Sequence, residues 1–83
     1  PEAERLFQAL RVRRRDLAKA QGEPPYVFFH DSTLRAMAME RPRSLADMEE
    51  LPGMGSTKLD RYGAAFLKVR EHLHGFTKTH VVG

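Results

Sequence analysis

No cysteine occurs among the 83 residues. That excludes a disulfide scaffold, a zinc ribbon and a thiol nucleophile. No apolar run approaches the ~20 residues that span a bilayer. The opening Pro1-Glu2-Ala3-Glu4-Arg5 has none of the apolar core of a signal peptide. Phosphate-binding Walker and nucleophile-elbow motifs are absent. The carboxylates are scattered, with no pair in an acid/base setting. His72 and His74 are two apart and so point to different sides of a helix, while His30 and His80 fall in a loop and a tail. With no histidine at i, i+4, no metal site is expected. No catalytic residue is expected either, since a small helical module leaves little room for a lined pocket. Charge of one sign is in modest excess: 14 Lys+Arg against 11 Asp+Glu, a net +3. That permits nucleic-acid binding without demanding it.

β-Branched residues are scarce and Leu, Ala, Met, Arg and Glu plentiful, which favours helices. The length suits one small domain, expected over residues 1–75, with 76–83 a flexible tail. Starting on Pro1 and not Met, the sequence reads as a piece of a longer parent. A first helix is expected over about Glu2–Gln21, with Leu6, Phe7, Leu10 and Leu17 on one face and Gly22 as its stop. Arg11, Arg13, Arg14 and Arg15 cannot share one side of it. Arg13 and Arg14 fall on the apolar stripe or its margins, and should lay down their stems and push their guanidinium groups out.

Pro24-Pro25 forces an extended segment, and Tyr26-Val27-Phe28-Phe29 should plug side chains into the core. Asp31 or Ser32 caps a second helix, Ser32–Glu40, that buries Leu34, Met37 and Ala38 and ends at Pro42. Ser44-Leu45-Ala46-Asp47 resembles a capping box opening a short helix to about Glu50, with Leu45 and Met48 inward. Leu51-Pro52-Gly53-Met54-Gly55 is a tight turn. Ser56 caps a helix over Thr57–Tyr62 with Leu59 inward, Gly63 breaks it, and a last helix, Ala64–Leu73, buries Phe66, Leu67 and Leu73. The expected fold is all-α, a compact bundle of five short helices with a helix-hairpin-helix-like turn.

Three motifs carry a family resemblance. They are Leu6-Phe7 to Leu10-Arg11, Pro24-Pro25-Tyr26-Val27-Phe28-Phe29-His30-Asp31-Ser32-Thr33-Leu34, and Gly53-Met54-Gly55-Ser56-Thr57-Lys58-Leu59-Asp60-Arg61-Tyr62-Gly63. Over roughly Glu4–Leu73 the chain resembles the HRDC domain of RecQ-family DNA helicases and of ribonuclease D, and Pro-Pro-Tyr-Val looks more like the RecQ branch. The resemblance implies a five-helix bundle that binds single-stranded or branched DNA without catalysis. In some members it instead contacts proteins or the parent's helicase core. Two features depart from the pattern. Arg13 stands where the family more often has a bulky apolar or aromatic residue, and Asp47, Glu49 and Glu50 make the approach to the glycine turn acidic.

Tyr26 leads the candidate binding residues. An aromatic on a proline-stiffened loop can stack a base, or can be one more core plug beside Phe28 and Phe29. The resemblance favours stacking, since the matching aromatic of RecQ-type members serves DNA binding. Lys58 and Arg61, three apart, share a helix face that either meets phosphates or is merely solvated, with Asp60 near enough to pair Arg61. Gly53 and Gly55 resemble a hairpin that lets backbone amides approach a phosphate. The plainer reading, a tight turn tucking Met54 into the core, is favoured by Glu49 and Glu50 next door. Arg35 and Arg41, with Arg43, extend the rim of the Tyr26 loop.

The leading expectation is an accessory module that weakly docks single-stranded or branched DNA and so tethers or orients a RecQ-type helicase. With about three phosphates neutralised, the log–log salt slope on a single strand is roughly −2. The alternative is a regulatory module docking on the helicase core or a partner protein, motivated by the acidic patch and Arg13. The ribonuclease D branch, with RNA as ligand, comes third. No cofactor is expected for the domain, ATP and Mg belonging to the parent helicase. The expected state is monomeric, away from membranes, in the cytoplasm or nucleoid.

Overall fold

The computed structural model describes residues 2–72. Helix α1, Glu2–Gln21, buries Leu6, Phe7, Leu10, Arg14 and Ala18. It ends where the glycine was expected to stop it: Gly22 has φ +66°. The Gly22 N–H reaches the Lys19 carbonyl and the Glu23 N–H the Ala18 carbonyl, satisfying two of the helix's orphan acceptors. A single 3-10 turn, Pro25–Val27, interrupts the segment expected to be extended. Helix α2, Asp31–Glu40, starts one residue earlier than expected. Its N-cap is His30, neither Asp31 nor Ser32, and the cap is backbone only: the His30 carbonyl accepts from Thr33 and Leu34 N–H.

Helix α3, Leu45–Glu49, is capped as read from the sequence. The Ser44 hydroxyl accepts from the Asp47 N–H, and Asp47 in turn accepts from the Arg43 N–H. Met48 is buried but Leu45 is 42% exposed, so the expectation that both turn inward holds only for Met48. Helix α4 opens with Ser56–Lys58, widens into a π turn over Leu59–Gly63 and returns to α-helix over 64–72. Gly55, not Ser56, is its N-cap.

Gly63 therefore does not break the chain into two helices, and the described residues hold four helices and a 3-10 turn. The reason is contact. A Cβ on Gly63 would lie 2.9 Å from Leu59 Cδ1 and 3.0 Å from Leu45 Cδ2, so the missing side chain lets two leucines close over an unbroken helix. Ala64 continues it with ordinary helical angles. Leu73, the tail and the boundary near residue 75 lie outside the described residues.

One core joins these elements. Phe28, Phe29, Leu34 and Phe66 are fully buried, with Leu6, Phe7, Leu10, Met37, Met48, Leu51 and Leu59 around them. Leu17, Met54 and Leu67 are half-buried against that core. Phe29 meets Phe66 edge-on at 4.9 Å, and Phe28 meets Tyr62 the same way at 4.7 Å. Both are favoured aromatic geometries.

Candidate nucleic-acid interface

The four apolar residues after the two prolines divide. Phe28 and Phe29 have no exposed surface, Val27 is half-buried and Tyr26 is 62% exposed. Backbone geometry makes the division. Pro24 is extended, and the Val27 and Phe28 N–H groups bond the Pro24 and Pro25 carbonyls at 3.1 Å. The chain thus turns sharply, with about three residues per turn. Tyr26 is left on the outside while the two phenylalanines point back into the core.

Arg14 braces this loop from below. Its Nη1 donates to the Phe29 carbonyl at 2.7 Å, and its Nη2 pairs with Asp31 Oδ1 at 2.7 Å. One guanidinium so joins the end of the loop to the start of α2. This corrects the expectation that Arg14 pushes its head group out. A backbone carbonyl facing the α1 stripe draws the charge inward, and Arg14 Nε is buried with no partner among the described residues. Arg13 is the exposed member of the pair. The Arg14 hydrogen bond holds the Asp31 carboxyl below its ordinary range against an opposing desolvation effect, helped by the charges of Arg14, Arg11 and Arg35.

The hairpin is tied to the same end of the domain. Thr33 Oγ1 donates to the Pro52 carbonyl at 3.1 Å. Gly53 has φ +79°, and a Cβ there would lie 2.4 Å from Thr33 Oγ1. Met54 packs against the core, as the plainer reading had it. Gly55 is open, with nothing near its missing Cβ.

Lys58 is half-buried and Arg61 exposed, the latter with its guanidinium carbon 5.9 Å from the Tyr62 ring centroid. Neither forms an ion pair among the described residues, so Asp60 does not neutralise Arg61. The Phe28–Tyr62 contact joins the Tyr26 loop to the π turn carrying Arg61. Loop, hairpin and start of α4 are thus linked.

Arg35 and Arg41 are held elsewhere. Arg35 pairs with Glu4 at 2.8 Å and lies 3.7 Å over the Phe7 ring. The Gln8 amide and Arg35 together hold the Glu4 carboxyl below its ordinary range. Arg41, left-handed at the C-cap of α2, bonds Glu2. Both cations therefore belong to the α1–α2 contact. Among the described residues no three potential metal ligands cluster, and no helix is long and apolar enough to cross a membrane.

The roles of two residues at this loop were not read from the sequence. Arg14 is a charge four residues after Leu10 on the apolar stripe, and that misplacement was its only signal. His30 follows Tyr26 by four residues and stacks beside it.

Comparison with known proteins agrees with this architecture. The model of the HRDC domain family matches residues 3–69. The ATP-dependent DNA helicase RecQ of Haemophilus influenzae is 41% identical over 68 residues, which is 81% of this chain and 11% of that protein. The ATP-dependent DNA helicase UvrD2 of Mycobacterium tuberculosis is 39% identical over 66 residues, 80% of this chain and 9% of that protein. Among solved structures, D. radiodurans RecQ HRDC domain 3 superposes with a TM-score of 0.83 at 36% identity, covering 88% of this chain and 96% of that one. The chain spans about a tenth of the length of the curated helicases it matches. From its motifs, its fold and these relatives, the chain belongs to the HRDC domain family and is of the kind that RecQ-type helicases carry as an accessory domain.

Proposed function

We propose that this domain is a non-catalytic nucleic-acid-binding module of a RecQ-type DNA helicase, weakly docking single-stranded or branched DNA to tether or orient the motor. The observation that carries this is the Tyr26 ring, exposed on a turn whose next two aromatics are locked in the core. A stiff, exposed aromatic stacks bases with little ordering entropy lost. Lys58 and Arg61 supply phosphate contacts near it. Gly53 and Gly55 shape the hairpin beside them. Arg35 and Arg41 contribute less, since Glu4 and Glu2 already engage them. Weak docking suffices, because a linked module acts at high effective concentration. The domain itself uses no cofactor. ATP and Mg serve the parent's motor, and the setting is intracellular.

The test is fluorescence anisotropy of a labelled single-stranded DNA titrated with the 83-residue chain at low and moderate salt. Salt-sensitive binding, weakened about five-fold or more by Tyr26→Ala and reduced by Lys58→Ala, is the expected result. No binding at low salt would overturn the reading. It would favour a regulatory domain that docks on the helicase core or on a partner protein, for which Asp47, Glu49 and Glu50 are exposed.

A further inference from the structure

The Tyr26 loop carries a second ring. His30 is exposed, and its ring lies within 17° of parallel to that of Tyr26, the centroids 6.4 Å apart. Neither ring serves the core, whose aromatics are Phe7, Phe28, Phe29 and Phe66.

Both rings stand on fixed backbone. Tyr26 sits on the 3-10 turn closed by the Val27 and Phe28 N–H bonds. His30 is held on three sides. Its carbonyl accepts from Thr33 N–H at 3.0 Å and Leu34 N–H at 3.1 Å. Arg14 grips the residue before it through the Phe29 carbonyl and the residue after it through Asp31, each at 2.7 Å. A buried guanidinium is thus committed to the few residues that set where the His30 ring starts. The near-parallel rings, with centroids 6.4 Å apart, each offer a flat face on which a base can stack.

We propose that Tyr26 and His30 together form a two-ring nucleobase-stacking site, with His30 a binding residue for the bases of a single strand. The proposal rests on the DNA-docking reading above and adds a second contact to it. Stacking on two rings tolerates any base, because every base offers a π face.

The test compares a thymidine oligonucleotide with an abasic oligonucleotide of equal length and charge, at one salt concentration. Wild type, His30→Ala, His30→Phe and Tyr26→Ala are titrated against each. His30→Ala is expected to weaken thymidine binding by about five-fold or more, the lower end of what one base–aromatic stack supplies. It should leave binding to the abasic strand unchanged, and His30→Phe should restore the thymidine affinity. Unchanged thymidine binding by His30→Ala overturns the proposal. So does an equal loss on both strands, which marks a charge contact, or a failure of His30→Phe to restore binding. If Tyr26→Ala loses thymidine binding while His30→Ala keeps it, DNA docking stands and the two-ring site falls. If neither variant differs from wild type on either strand, both rings fall as contacts; only an absence of wild-type binding to either strand at low salt overturns the docking reading itself.

Discussion

Replacing Gly53 with alanine separates a structural role for the hairpin glycine from any role in binding phosphate. Two penalties meet at this position. A non-glycine residue at φ +79° costs about 1–2 kcal/mol in the left-handed region. The added Cβ also falls 2.4 Å from Thr33 Oγ1. Thr33 is 3% exposed, so its hydroxyl cannot move aside into water. It must give up the Pro52 carbonyl, a loss of about 1 kcal/mol, and any resulting unsatisfied buried group adds roughly 1–3 kcal/mol. The total is about 3–6 kcal/mol, a large share of the ~5–15 kcal/mol available to a domain. Gly22 supplies the control, with φ +66° and nothing near its missing Cβ. Gly22→Ala should therefore show the backbone penalty alone. Urea denaturation of both variants is the assay, and Gly53→Ala should be the less stable by about 2 kcal/mol or more. In a Thr33→Ala background that excess should vanish, because the clashing oxygen is gone. Equal losses for the two glycine variants, or an excess that survives Thr33→Ala, would refute the steric account and return Gly53 to a purely functional explanation.

The Arg14–Asp31 pair predicts an acid dependence. The Asp31 carboxyl is depressed in the folded state, so its contribution is fully present above its ordinary value and is lost as pH falls through the depressed one. Stability measured below about pH 4 should fall less steeply in Asp31→Asn than in wild type. Lys58→Ala and Arg61→Ala should each flatten the log–log salt dependence of single-strand binding by roughly 0.7, while Arg35→Ala, already paired with Glu4, should change it by less.

Much of the fold was legible because it is set locally. Gly22 after a periodic stripe and a serine three residues before an aspartate each act within one turn of chain, and each ended or began an element where expected, whereas the two prolines left only Pro24 extended before the 3-10 turn. The family motifs were legible for the same reason, being short runs read in order. Gly63 was misread by the same local logic. In the sequence it is a helix breaker, and the fact that reverses its meaning is Leu45, a side chain from another helix. Arg14 was misread similarly, since its partner carbonyl lies 15 residues further along the chain.

The sequence by itself determined an all-helical HRDC domain, the Gly22 stop and the Ser44 cap, and a short list of candidate binding residues. Only the tertiary structure decided which members of that list are exposed and which are held by other side chains. It turned Tyr26 outward and Phe28 and Phe29 inward, engaged Arg35 and Arg41 with glutamates of the first helix, and left Lys58 and Arg61 without an ion pair among the described residues. Propensity and capping depend on neighbours within a turn, whereas exposure and charge pairing depend on which distant side chain arrives in the same space.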